Sequence, residues 1–138
     1  MNSIPAPEPA VSLAETESEH ALQIQLLHSI ERALEASDSL RALNLLAQLE
    51  DFSDAHFAAE QILMRYHSYP GYQAHELEHG KLLEELRRIR DRIEEEEGLA
   101  LLAEARAIRN WLMSHIENAD RAFAEFVRGA PTSPAAPR

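Results

Sequence analysis

The distribution of proline and glycine is the feature that most constrains the fold of this chain. Six of the seven prolines lie within the first nine or the last eight residues, and the seventh, Pro70, is followed directly by Gly71. Good helix formers fill the sequence on either side of this pair. The sequence therefore predicts an all-α protein, with flexible tails over residues 1–12 and 129–138 and one helical domain over residues 13–128.

Apolar residues recur every three to four positions in four segments of this domain, which is the period of an amphipathic helix. Ser12 and Glu15 have the spacing of a capping box before the first segment. The predicted helices cover residues 13–36, residues 40–68, residues 72–93 and the stretch from Leu101 up to Gly129. Three short connections between four helices predict an up-down-up-down antiparallel four-helix bundle.

Composition excludes several classes of partner and site. The formal net charge of −11 disfavours binding to nucleic acid or to anionic membrane surfaces. No run of about 18 apolar residues is present, and the N-terminus does not resemble a signal peptide, so we expect a cytoplasmic protein. We also expect a monomer. Cysteine is absent, so any metal site must use histidine and carboxylate.

Five of the seven histidines fall on the apolar faces of the predicted helices, and two carboxylates accompany them at helical spacing. Histidines 20 and 56 are 36 residues apart around the first turn, and histidines 79 and 115 are 36 apart around the third. Antiparallel neighbours bring such pairs to one level of a bundle. The candidate metal ligands are His20, His56, Glu60, His75, His79, His115 and Asp120. Asp120 fits less well, because five residues turn a helix by ~140° from His115.

Seven ligands exceed the capacity of one ion but suit two, with imidazoles as terminal ligands and carboxylates as bridges. Burying them in one layer without a metal would leave polar groups unsatisfied at a cost of several kcal/mol for each unpaired charge, on the order expected for buried ions. Zinc accepts the same ligand types, but structural zinc sites are usually four-coordinate. Iron, or else manganese, therefore fits the pattern better.

These residues resemble the bacterial hemerythrins, from residue 20 to about residue 126. The resemblance is carried by three motifs: His56-Phe-x2-Glu60-x3-Met64, Tyr69-Pro70-x4-His75-x3-His79 and Trp111-Leu-x2-His115-Ile-x3-Asp120. It implies two iron ions, Fe2+ or Fe3+, joined by an oxo or hydroxo bridge and by the carboxylates of Glu60 and Asp120. It further implies that dioxygen binds reversibly at the ion that is held by only two histidines. The three histidines of one ion would be His75, His79 and His115, and the two of the other would be His20 and His56.

The resemblance also implies an apolar wall around the site, formed by Phe57, Trp111, Leu112 and Ile116, which could equally be ordinary bundle core. Gln23 departs from the usual pattern, because it stands where an apolar residue is expected one turn after His20. An amide at this place either lines the pocket and hydrogen-bonds to a bound species, or is exposed or contacts another helix. We assign it to the pocket.

The function that this resemblance implies is dioxygen storage, delivery or scavenging, without an enzymatic reaction. The alternative is an oxygen or redox sensor that acts through a signalling partner protein. An oxygenase or peroxidase is less favoured, because the Glu-x-x-His ligand motifs of such bundles are absent. Iron storage is less favoured too, because nothing in the sequence indicates a shell.

Overall fold

The computed structural model describes residues 9–129, which form helices and connecting turns. The elements are α1 (Leu13–Glu35), α2 (Ser39–Tyr66), α3 (Tyr72–Arg92), α4 (Gly98–His115), a π-helical turn (Ile116–Asp120) and α5 (Arg121–Arg128). The π-helical turn joins α4 directly to α5, so these three elements make up the fourth rod of a four-helix bundle. The predicted all-α four-helix bundle is confirmed, and the contacts of α1 and α3 with both α2 and α4 fit the up-down-up-down order.

The ends of the helices follow from local capping. The Glu15 backbone N–H donates to Ser12 Oγ at 3.2 Å, and the Ser12 N–H donates to Glu15 Oε1 at 3.0 Å, so the predicted capping box begins α1. α1 ends one residue before the predicted limit, and Ser37 then adopts a left-handed conformation with φ of 56°. Asp38 begins α2 by accepting a hydrogen bond from the Arg41 N–H at 3.2 Å.

Two apolar clusters fill the interior of the bundle. The larger one lies towards the α1–α2 and α3–α4 connections and includes Leu34, Leu46, Leu86 and Leu101, each at most 1% exposed. The smaller one lies towards the α2–α3 connection and consists of Leu63, Met64 and Phe123, packed against partly buried neighbours that include Tyr69. Because the ligand positions predicted from the sequence fall between these clusters along the helices, the fold brackets them with apolar packing on both sides.

The predicted tails and domain limits concern the two ends of the helical domain. The predicted tails, residues 1–12 and 129–138, fall largely outside the described residues, and the domain limits 13–128 stay a prediction. Within residues 9–129 no helix has the length and apolar character needed to span a membrane.

Candidate metal centre

The seven candidate ligands lie together in one layer of the bundle. Six of them are at least nine-tenths buried, and the His20 side chain is 12% exposed. They form two groups, and within each group one ligand atom from every residue lies within 4.8 Å of those of the others. One group contains Glu60, His75, His79, His115 and Asp120, and the other contains His20, His56 and Glu60. The layer thus divides into a three-histidine half and a two-histidine half, with Glu60 in both.

The Glu60 carboxylate spans the two halves with its two oxygen atoms. Its Oε1 lies 3.0 Å from Nε2 of His75 and 3.0 Å from Nε2 of His79. Its Oε2 lies 3.8 Å from Nε2 of His56 and 3.9 Å from Nε2 of His20. The Glu60 carboxylate can therefore offer one oxygen atom to each set of nitrogen atoms.

Asp120 spans the same two halves from the fourth rod. Its Oδ1 lies 2.7 Å from Nε2 of His75 and 3.2 Å from Nε2 of His115. Its Oδ2 lies 3.1 Å from Nε2 of His20. The layer therefore holds two carboxylates, each of which faces both histidine groups.

The π-helical turn explains how Asp120 reaches the layer. In an α-helix, a step of five residues would direct Asp120 ~140° away from His115. The turn Ile116–Asp120 is wider than a turn of α-helix, because its hydrogen bonds join residues five apart. Two residues at this spacing, such as His115 and Asp120, therefore lie on nearly the same side of the rod. The sequence pattern identified Asp120, but its angle to His115 was worked out for a regular α-helix. The π-helical turn removes this discrepancy.

Three polar side chains outside the ligand set contact the histidine rings at Nδ1. Glu19 Oε1 lies 2.8 Å from Nδ1 of His56, and Glu78 Oε1 lies 2.6 Å from Nδ1 of His115. Gln61 Oε1 lies 3.2 Å from Nδ1 of His79. A hydrogen bond at Nδ1 fixes the ring and leaves Nε2 free to bind a metal.

Sequence reasoning missed these outer contacts, although a signal for two of them was present. Glu19 and Glu78 each directly precede a ligand histidine, and each lies 37 residues before the histidine that it contacts. The two helical hairpins therefore repeat one arrangement, in which the acidic residue before one ligand orients the ligand on the neighbouring helix. Gln61 carries no comparable signal in the sequence.

The Nε2 atoms of the ligand histidines are buried with little protein hydrogen bonding. Carboxylate oxygens lie near them, but within the described residues four of the five make no hydrogen bond: those of His20, His56, His79 and His115. Buried polar atoms are rarely left unpaired, because desolvation without a partner is costly. Five imidazole nitrogens and two carboxylates directed at a common space match the ligand preferences of a pair of first-row transition metal ions.

Charge interactions in the layer shift the pKa values of its members in opposite directions. Burial opposes protonation of His20 and His75, but the carboxylates of Asp120 and Glu60 outweigh it and raise the pKa of each imidazole to about 9. Burial also opposes ionisation of both carboxylates, but the imidazoles around them hold the pKa of Glu60 and of Asp120 well below the ordinary range. Without metal, protons on His20 and His75 therefore balance the two negative charges.

The residues expected to surround the site lie beside it. Phe57 is 3% exposed and stacks on His79 with ring centroids 3.8 Å apart. Trp111 stacks on His115 at 5.0 Å and is partly buried, as is Ile116, while Leu112 is 1% exposed. All four pack in the larger apolar cluster. Their packing in the bundle core is therefore observed, and their role as a pocket wall stays a prediction.

Gln23 is fully buried, which excludes the exposed reading of this residue. Its Nε2 donates a hydrogen bond to Oγ of Ser53 on α2 at 3.0 Å, so the expected alternative of a contact with another helix is observed. The assignment of Gln23 to the pocket stays a prediction. Sequence reasoning singled out Gln23 but missed Ser53, whose only signal is that it lies three residues before His56. The two histidines that match no motif lie away from the layer, with His28 exposed and His67 half-buried.

The family model described as the hemerythrin HHE cation binding domain matches residues 12–127, which is most of the chain and contains all seven ligand positions. Among curated proteins no significant match was found.

Proposed function

Because this chain belongs to the hemerythrin HHE cation-binding family, we propose that it binds dioxygen reversibly at a pair of iron ions held by the seven-residue layer. The observation that carries the proposal is the position of the two carboxylates. Glu60 and Asp120 each direct one oxygen towards the three-histidine half and the other towards the two-histidine half. This arrangement suits two ions that share both carboxylates.

The two halves differ by one ligand, and this difference provides a place for dioxygen. With both carboxylates and one oxo or hydroxo group as bridges, an ion held by three histidines would reach six ligands. An ion held by His20 and His56 would have five and would keep one position open. An iron pair supplies, when bound, the two electrons that reversible dioxygen binding requires.

The protein itself orients the ligand histidines and limits the access of water to the layer. Glu19, Gln61 and Glu78 hold the rings of three histidines from the outside, so Nε2 of each ring is presented to the metal. Apolar clusters lie on both sides of the layer along the helices, and they would limit the access of solvent to a bound ligand. We also propose that the protein is not an enzyme, because the titratable groups in the layer are all ligands or hydrogen-bonded to ligands, and none is left as a general acid or base.

The test is the iron content of the chain together with visible spectra of the anaerobically reduced protein before and after exposure to air. We expect two iron ions per chain and a charge-transfer band that appears with oxygen and disappears under argon. His56→Ala and His79→Ala should each lower the iron content below two. His28→Ala is the matched control, because His28 is exposed and lies outside the layer. An iron content below two in the unsubstituted protein would overturn the proposal.

A second candidate function is sensing, and the position of Trp111 favours it. The indole ring stacks on His115 with an interplanar angle of 13°, and the same residue lines a surface cavity of about 340 Å³ between α3 and α4. A movement of the His115 ring on oxidation of the iron pair would therefore reach a surface that a partner protein can contact.

The two candidates differ in the lifetime of the oxygenated form and in partner binding. A band that decays irreversibly within seconds, together with a partner retained by only one oxidation state in a pull-down, would support sensing. Trp111→Leu should abolish that difference between oxidation states. A stable oxygenated form with no such partner would support storage or delivery.

A further inference from the structure

The side-chain amide of Gln23 is a buried polar group with an unused hydrogen-bonding atom. Gln23 is 0% exposed, and so is its partner Ser53. The Gln23 Nε2 donates to Ser53 Oγ at 3.0 Å, whereas Oε1 has no hydrogen-bond partner among the described residues. A buried carbonyl oxygen without a hydrogen-bond partner destabilises a fold, because it has lost its hydrogen bonds to water and forms none within the protein.

The positions of Gln23 and Ser53 along their helices place the amide one helical turn from the two-histidine half of the metal centre. Gln23 follows His20 by three residues on α1, and Ser53 precedes His56 by three residues on α2, so both lie one helical turn from a ligand on the same face. The next buried residues on this face of the two helices, one further turn from the ligands, are Leu27 and Leu49, in the larger apolar cluster. The Gln23–Ser53 pair therefore separates the His20–His56 level from the apolar core.

The α3–α4 hairpin shows which residues the fold places one helical turn from the ligands in the three-histidine half. Leu82 follows His79 by three residues, and Leu112 precedes His115 by three residues. Both leucines are buried, at 3% and 1% exposure, and both belong to the larger apolar cluster. Because an apolar pair fills the equivalent place in the three-histidine half, packing alone does not call for an amide and a hydroxyl in the two-histidine half.

We propose that Gln23 and Ser53 form a hydrogen-bonding pocket for a small polar ligand on the ion held by His20 and His56. This inference rests on the proposed function, since that ion is the one with an open position. A side-chain amide offers both an acceptor and a donor, and reversing it lets Ser53 donate to Oε1 while Nε2 turns to the ligand. The pocket thus accepts water, hydroxide and small anions in preference to purely apolar molecules.

Azide binding to the iron-loaded, air-oxidised protein tests the pocket directly, with visible absorption as the readout. We expect Gln23→Leu to bind azide about tenfold more weakly than the unsubstituted protein, which is the effect of losing one hydrogen bond to a charged ligand. Gln25→Leu is the matched control, because it makes the same change at an exposed position of α1 and should leave azide affinity unaltered. Gln23→Met is a second variant of closer shape, with the same expected loss.

Unfolding of the metal-free protein gives a readout that does not depend on the metal. If the pair serves a ligand rather than the fold, the double variant Gln23→Leu, Ser53→Ala should unfold at the same or a higher denaturant concentration than the unsubstituted protein. A clearly lower midpoint would assign the pair to folding and overturn the inference. Unchanged azide affinity in Gln23→Leu and Gln23→Met, with two iron ions per chain, would overturn it while leaving the proposed function intact. An unsubstituted protein without an iron pair would overturn both.

Discussion

Glu78 holds the imidazole of His115 at the ring nitrogen that faces away from the other ligands. Its Oε1 lies 2.6 Å from Nδ1 of His115, while Nε2 of the same ring lies 3.2 Å from Oδ1 of Asp120. When Nδ1 donates its hydrogen to Glu78, the lone pair of the neutral ring is placed at Nε2, on the metal side. Glu19 stands in the same relation to His56 in the other half.

Removal of Glu78 should weaken metal binding without removing a ligand. We expect Glu78→Ala to bind the ion of the three-histidine half about 10–100-fold more weakly, the usual effect of losing an outer partner of a ligand histidine. Glu78→Gln should be affected less, because the amide oxygen can still accept the Nδ1 hydrogen. The measurement is a titration with ferrous or cobaltous ion against a competing chelator.

The matching change in the other half separates the two ions. Glu19→Ala should weaken the ion held by His20 and His56 and leave the other one largely in place. Glu84→Ala is the control for both, because Glu84 is exposed on α3 and lies outside the layer. If Glu78→Ala and Glu84→Ala bound metal equally well, the contact between Glu78 and His115 would have no role in the site.

The metal-free protein should lose stability as the pH rises from about 6.5 to about 9. The pKa of His20 and of His75 is raised from 6.5 to about 9 in the folded chain, so the folded state binds more protons than the unfolded state in this interval. The stability from these two groups is complete below pH 6.5 and is lost as the pH passes 9. Urea unfolding at several pH values, with a chelator present, should show a decrease of at least about 1 kcal/mol.

At acid pH the carboxylates act in the opposite sense. The pKa values of Glu60 and Asp120 are lowered, so their contribution is present above pH 4.5 and is lost as the pH falls further. Stability of the metal-free protein should therefore be greatest between about pH 4.5 and 6.5. His20→Ala should flatten the alkaline part of the curve, and His28→Ala should not. A curve that rises steadily from pH 6 to 9 would contradict the charge balance inferred for the layer.

Metal binding should stabilise the fold, because the buried Nε2 atoms then gain a partner. An ion that binds only the folded state adds about 2.7 kcal/mol at a free concentration of 100 times its dissociation constant. We expect the thermal midpoint to rise with metal concentration and to return on addition of a chelator. In His79→Ala the rise should be smaller. A midpoint that is unaffected by metal would indicate that the layer is a structural charge network only.

The sequence predicted the bundle and the ligand layer well because both depend on periodicity. The 36-residue spacings of the histidine pairs already require that the pairs lie level in an antiparallel bundle. The path of the chain to Asp120 could not be predicted, because a π-helical turn is a local deviation that no residue type specifies. The contacts of Gln61 and Ser53 depend on the side-chain conformations of neighbouring helices, which periodicity does not determine.

Two glycines with opposite surroundings test how closely the ends of the bundle are packed. A Cβ atom at Gly98, the first residue of α4, would clash with the backbone oxygen of Leu34 near the end of α1. Gly98→Ala must therefore push α4 away from α1, and we expect it to lower the free energy of unfolding by about 1–3 kcal/mol.

Gly80 is exposed within α3 and has no atom within 4 Å of such a Cβ. Gly80→Ala should thus raise the free energy of unfolding by about 0.5–1 kcal/mol, because alanine loses less backbone entropy in a helix. Denaturant unfolding of both variants measures the difference, and equal effects of the two substitutions would contradict the close contact at Leu34.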